Sequence, residues 1–137
     1  MKRIIADAST IVALIDKRDS SHQWASSQVE NLPIPFLTCE AVISESCYLL
    51  HSIFQGEQTV LTYLKKGILQ IEFSLTNEIE AIENLMQKYE NVPMSLADAC
   101  LVRMSEQIEN STVFTTDSDF HIYRKNGKRK IDLIIPE

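Results

Sequence analysis

The chain has 137 residues, enough for one domain and little more, and its 45% hydrophobic content can fill a core while 23% charge gives no sign of disorder. Thirteen Lys and Arg against nineteen Asp and Glu leave a net charge of −6, which disfavours extended contact with a phosphate backbone. No apolar run approaches the ~20 residues of a membrane span, and Asp7 cuts the opening Ile4-Ile5-Ala6 run too short for a signal peptide, so the sequence reads as a soluble cytoplasmic protein.

In chain order, Ile4-Ile5 forms a short buried strand, and Ser9-Thr10 are positioned to cap a helix carrying Ile11, Val12, Leu14 and Ile15. Ser20-Ser21 start a second short helix through Trp24 and Val29. Pro33 and Pro35 lead into a strand ending at Leu37-Thr38. A helix is predicted from about Glu40 to Phe54, ended by Gln55-Gly56, and another over Glu57–Lys66. Ile68–Phe73 alternates as a strand does, and Thr76 caps a helix over Ile79, Ile82, Leu85 and Met86. Ser95 begins a helix to Ile108 with Ala97, Cys100, Leu101 and Met104 on one face, and Ser111–Thr116 and Leu133–Ile135 supply the last strands. Short apolar strands alternating with helices predict a three-layer α/β/α sandwich around a central, largely parallel sheet of four or five strands, with residues 1–137 as one domain.

Three cysteines (Cys39, Cys47, Cys100) without C-x-x-C spacing read as free thiols, not as a zinc site or disulfide framework. His51 and His121 lack partners at metal-ligand spacing and read as surface residues; His22 and Trp24 have rings that can stack on a base, but His22 is expected at the surface and Trp24 packed on the core. Charge is unevenly distributed. Arg124, Lys125, Lys128, Arg129 and Lys130 lie in the last fourteen residues beside only Asp132 and Glu137, so this end is +3 and the rest of the chain −9. An acidic body with one basic end suits metal ions and a cationic partner, with a polyanion touching a limited strip or the basic run remaining a solvated loop.

In parallel α/β sheets the ligand site lies beyond the carboxyl ends of the strands, at a point where strand order reverses. Asp7 directly follows the first strand, and Asp117 follows Val113-Phe114-Thr115-Thr116. Asp98 stands in the first turn of its helix, within the capping-box pattern Ser95-x-x-Asp98, and Glu45 lies on the polar face of the Glu40 helix, where Glu40 competes for its role. Gathered in one cleft, such acids repel one another unless a cation joins them, and hard divalent ions held by carboxylate oxygens are the usual solution.

The set resembles the PIN-domain nucleases, most closely the toxins of VapBC-type toxin–antitoxin pairs. The matching stretches are Ile5-Ala6-Asp7-Ala8-Ser9, Thr38-x-x-x-Val42-x-x-Glu45, Ser95-Leu96-Ala97-Asp98-Ala99-Cys100-Leu101-Val102 and Val113-Phe114-Thr115-Thr116-Asp117-Ser118-Asp119-Phe120, in the family's order and across essentially the whole chain. The resemblance implies a PIN-like nuclease domain with Asp7, Glu45, Asp98 and Asp117 as catalytic, metal-binding acids. It implies Ser9 as a supporting hydroxyl, with Thr115 or Thr116 in a similar role. Asp119 is either an outer acid or, the preferred reading, the cap of the turn into Phe120. It further implies Mg²⁺ (or Mn²⁺), metal-assisted hydrolysis of an RNA substrate, a homodimer and a small antitoxin protein. The competing reading is a PIN-domain protein of RNA maturation, or an RNA-binding module without cleavage. Receiver and haloacid-dehalogenase folds are disfavoured, because Asp7-Ala8-Ser9 lacks the second acid they place near the first strand.

Overall fold

Ile4, Ile5 and Ala6 are apolar on both faces of an extended run, so a stable fold must cover this strand on every side. The computed structural model, which describes residues 2–137, puts it at the centre. Strand β1 (Arg3–Ala6) is third of five in an all-parallel sheet that also holds β2 (Phe36–Thr38), β3 (Leu69–Ile71), β4 (Ser111–Phe114) and β7 (Leu133–Ile134), in the order β3-β2-β1-β4-β7. Ile5 pairs with Leu37 on one side and with Val113 on the other. The chain therefore leaves β1 in one direction for β2 and β3, then returns to lay β4 on its opposite edge. Strand order reverses between β1 and β4, and their carboxyl ends open the crevice where such sheets bind ligands.

Helices α1 (Ala8–Ile15), α2 (His22–Val29), α3 (Glu40–Leu49), α4 (Gly56–Lys65), α5 (Ile79–Lys88) and α6 (Leu96–Gln107) flank the sheet and complete the expected three-layer α/β/α sandwich. Helix α6 is buried along most of its length, with Cys100, Leu101, Val102 and Met104 all inside. Trp24 is half-buried with its ring 5.5 Å from that of Phe114, as the sequence suggested. Arg124–Lys125 (β5) and Arg129–Lys130 (β6) form a separate antiparallel hairpin, turned at Asn126 and Gly127, both of which adopt positive φ. The Asn-Gly pair is a strong hairpin signal.

Some boundaries differ from the sequence expectation. Asp7, not Ser9 or Thr10, caps α1, because its carboxylate already sits at the strand–helix junction and accepts from the Ala8 amide. Thr76 opens a 3-10 turn (Thr76–Glu78), and α5 starts only at Ile79. Helix α3 stops at Leu49 instead of Phe54, and Gly56, expected to end that helix, begins α4. The cause is close packing at this corner. Gln55 takes the left-handed conformation (φ 57°), and the chain turns so tightly that a Cβ on Gly56 would lie 2.5 Å from the Leu50 carbonyl oxygen and 2.9 Å from Leu50 Cβ. Glycine is required here by lack of space rather than by its φ.

Gly56→Ala should therefore destabilise the fold by about 2 kcal/mol, the usual scale of overpacking. Urea unfolding would register this as a lowered midpoint at unchanged m-value, whereas a wild-type midpoint would show that the corner relaxes freely.

A candidate active site of four carboxylates

Asp7 extends β1 into the crevice, and its backbone amide still donates to the Phe114 carbonyl of β4, 3.1 Å away. Its side chain is buried, at 4% exposure. Oδ1 accepts from the Ala8 amide at 2.7 Å. Oδ2 accepts from two hydroxyls, Ser9 Oγ at 3.0 Å and Thr115 Oγ1 at 2.6 Å. Each hydroxyl is committed in turn. Ser9 Oγ accepts from the Thr116 amide at 3.0 Å and Thr115 Oγ1 from the Asp117 amide at 2.9 Å, so their own protons point to Asp7. This separates the two candidate threonines: Thr115 supports the acid with its side chain, Thr116 only with its backbone.

Asp117 ends the loop after β4 and caps a 3-10 turn over Ser118–His121, its Oδ1 accepting from the Asp119 amide at 2.9 Å. The turn into Phe120 is thus capped by Asp117, and Asp119, for which capping was expected, supplies the donor. Asp119 stands half-buried at the edge of the site, where its charge bears on the Tyr123 phenol. Asp98 lies at the start of α6 in the expected capping box: Ser95 Oγ accepts from the Asp98 amide at 3.0 Å and Asp98 Oδ2 from the Ser95 amide at 3.4 Å. Asp98 Oδ2 also accepts from the Tyr123 hydroxyl at 3.0 Å. Tyr123 is fully buried, with its ring 5.1 Å from Tyr89 and 5.2 Å from Phe120. Sequence reasoning missed this residue. No local pattern marks it, because its partner lies 25 positions earlier.

Electrostatics groups the acids. Burial pushes the Asp7 carboxyl up to about 6, against the opposing hydroxyls of Thr115 and Ser9 and with added repulsion from Asp98. Partial burial raises Asp98, which also feels Asp117, and raises Glu45, which feels Asp7, Asp98 and Asp117. Glu45 therefore faces the aspartates from α3, although its side chain stays exposed. Glu40 stands elsewhere, beside the buried Cys39 and Cys100 thiols, whose ionisation its charge opposes. Cys39, Cys47 and Cys100 are free, as read from the sequence. His51 and His121 are exposed, but His22 is half-buried and its Nδ1–H donates to the Ala13 carbonyl at 2.7 Å.

The four ion pairs among the described residues, Lys2–Asp132, Arg18–Asp16, Arg103–Glu78 and Arg103–Glu106, involve none of Asp7, Glu45, Asp98 or Asp117. Four acids near enough to repel one another are thus left without a cationic side chain. Their oxygen chemistry fits a hard divalent ion. Among the described residues no three acid, histidine or cysteine side chains are already drawn together at metal-ligand spacing, so the fit rests on donor type and uncompensated charge. Oxygens without a protein donor among the described residues are Asp98 Oδ1, Asp117 Oδ2 and both of Glu45, while Asp7 Oδ1 keeps a second lone pair.

Comparison with known proteins bears on the family and the fold. The family model described as PIN domain matches residues 4–126. Ribonuclease VapC26 of Mycobacterium tuberculosis is 24% identical over 116 residues, covering 83% of this chain and 86% of its own length. The crystal structure of Mycobacterium tuberculosis VapC20, described as a sarcin-ricin loop cleaving toxin, superposes with a TM-score of 0.69 at 19% identity, over 85% of this chain and 91% of that one.

The Asp7 shift has a consequence for stability. A carboxyl that titrates at about 6 in the folded chain, against an ordinary 3.8, favours folding when protonated. That contribution is complete below the unfolded value and is lost as pH rises through about 6, up to about 3 kcal/mol in all. Without divalent ions, wild type should therefore gain stability relative to Asp7→Asn as pH is lowered from 8 to 4. Denaturant unfolding of both proteins across that range checks this, and a pH-independent difference would be incompatible with the shift.

Proposed function

The chain belongs to the PIN-domain family, and we propose that it is a divalent-metal-dependent endoribonuclease, the toxin of a toxin–antitoxin pair. The observation that carries this reading is the uncompensated group of Asp7, Glu45, Asp98 and Asp117 at the β1/β4 switch point. The ribonuclease and toxin descriptions of VapC26 and VapC20 support the choice of RNA and of a toxin's role.

On this reading Asp7, Asp98, Asp117 and Glu45 hold Mg²⁺ or Mn²⁺. A bound ion of this kind supplies positive charge for the scissile phosphate and acidifies water. The chain's own residues provide the rest. Ser9 and Thr115 fix the Asp7 carboxylate so that it does not reorient when a substrate arrives. Tyr123 holds Asp98 by one oxygen and leaves the other free to ligate. Glu45, exposed and with its carboxyl raised, is the member best suited to take a proton from an attacking water. The protein partners in this proposal are a small antitoxin and a second copy of the chain. Supporting this are the exposed apolar side chains of Tyr48, Leu49 and Phe54, with a groove of about 460 Å³ on each side of Phe54. No helix among the described residues is long and apolar enough to cross a membrane. On this reading the protein acts in the cytoplasm.

Purified protein should cleave single-stranded RNA with Mg²⁺ or Mn²⁺ and lose cleavage in EDTA. Asp7→Asn should lower the rate at least on the order of a hundredfold, since it removes charge without volume. Retained metal-dependent cleavage by that variant would refute the site. RNA binding without any cleavage by wild type would instead identify a binding module.

Glu45→Gln and Glu40→Gln separate the two candidates on α3. The first should depress cleavage strongly and weaken Mn²⁺ binding in calorimetry, while the second leaves both near wild type. The reverse pattern would transfer the role to Glu40.

A further inference from the structure

The β5–β6 hairpin carries five cations, Arg124, Lys125, Lys128, Arg129 and Lys130, that take part in no ion pair among the described residues. Lys125 pairs directly across the ladder with Arg129, an arrangement that costs stability because like charges face each other. Yet the hairpin is fastened down. The Arg124 amide donates to the Tyr89 hydroxyl at 2.9 Å, the Asn126 amide to Glu106 Oε2 at 2.7 Å, and Lys88 Nζ to the Gly127 carbonyl at 3.1 Å. Arg124 is held in part by the same segment: its Nη1 folds back onto the carbonyls of His121, Ile122 and Tyr123, at 2.6, 3.2 and 3.0 Å. The segment is therefore not the solvated loop its composition allows, but a small rigid support for cations that repel one another.

Its position relates it to the carboxylates. The hairpin begins one residue after Tyr123, which touches Asp98 near the start of α6, and its turn is held by Glu106 near the end of that helix. The eight helical steps from Asp98 to Glu106 span about 12 Å at 1.5 Å per residue. A strand with one phosphate at the acids could thus lay phosphates a few nucleotides away along the hairpin.

We propose that the β5–β6 hairpin is a pre-organised ridge that binds the phosphate backbone of single-stranded RNA beside the carboxylate site, through Lys125, Lys128, Arg129 and Lys130. The ridge rests on the ribonuclease reading for its choice of polyanion, although the cross-strand repulsion and the anchoring stand without it. Rigid mounting lowers the entropy lost on binding. An anion relieves the Lys125–Arg129 repulsion just as a metal ion relieves that of the acids.

The test measures RNA binding rather than cleavage. In Asp7→Asn protein, the fluorescence anisotropy of a short single-stranded RNA gives the slope of log affinity against log salt. Adding Lys128→Gln, Arg129→Gln and Lys130→Gln should reduce the magnitude of that slope by about 2, at ~0.7 for each phosphate no longer neutralised. Lys65→Gln with Lys66→Gln serves as a control, since these cations precede β3 at the opposite end of the sheet and should leave the slope unchanged. An unchanged slope in the hairpin variant overturns the ridge, leaves the nuclease reading intact, and would point to an acidic protein partner for these cations. Ridge-dependent binding without cleavage by the wild-type protein would uphold the ridge and refute the nuclease reading. Failure of the Asp7→Asn protein to bind RNA even at low salt overturns the ridge as well.

Discussion

The carboxylate of Asp7 is buried with no cation to balance it, and three protein donors hold it in place. The Ser9 and Thr115 hydroxyls do more than solvate it, because each also accepts a backbone amide from the end of β4, at Thr116 and Asp117. One buried charge thus fastens the carboxyl ends of the two central strands together, at the point where sheet order reverses. Donation from Thr10 Oγ1 to the carbonyls of Asp7 and Phe114 ties the first turn of α1 into the same junction. The positions of Asp117 and of the turn after it follow from this arrangement. Asp98 and Glu45 are then brought in by α6 and α3, which pack against each other, α6 also against β1 and β4.

This dependence explains which parts of the sequence were legible. Asp7 could be placed because Ile4-Ile5-Ala6 must be covered on both faces, which makes the strand central, and a polar residue directly after a central strand has few other positions. Ser95 and Asp98 were legible because a capping box is local, needing only its own four residues. The α3–α4 corner was not. There, Gly56 looked like a helix terminator because that is what glycine does by φ, whereas its actual role is set by the Leu50 backbone passing within van der Waals range. The choice between Glu40 and Glu45 was open for a similar reason, since both lie on one helix and only the tertiary neighbours of each decide which acids it faces. Tyr123 and the fastening of the hairpin by Lys88, Tyr89 and Glu106 depend on distant positions that no periodicity encodes.

The uneven charge noted at the outset now has a spatial form. The −9 portion includes a crevice in which burial and the charges of Asp7, Asp98 and Asp117 raise the Glu45 carboxyl, and the +3 end includes a hairpin on which cations face each other. Each is unfavourable alone, and both sit along α6, one near its start and one near its end. A net charge of −6 opposes approach of a polyanion at long range, but within a Debye length of about 8–10 Å local sign outweighs the total. On the proposed reading, the basic ridge offsets the repulsion that a phosphate would otherwise meet on reaching the acids.

Both features show where the fold has given up stability. A core residue in place of Asp7 would pack without the desolvation that lifts its carboxyl to about 6, and a hairpin with alternating charges would close more favourably. Neither substitution would disturb the sheet order, which depends on Ile4, Ile5, Leu37 and Val113. Folding alone therefore does not account for these residues. Their charges are held in fixed positions at some cost, as expected where a structure is organised to receive charge of the opposite sign. The acids and the cations require different counterparts, a small hard cation for one and an extended anion for the other. A phosphodiester strand with a divalent ion satisfies both at once.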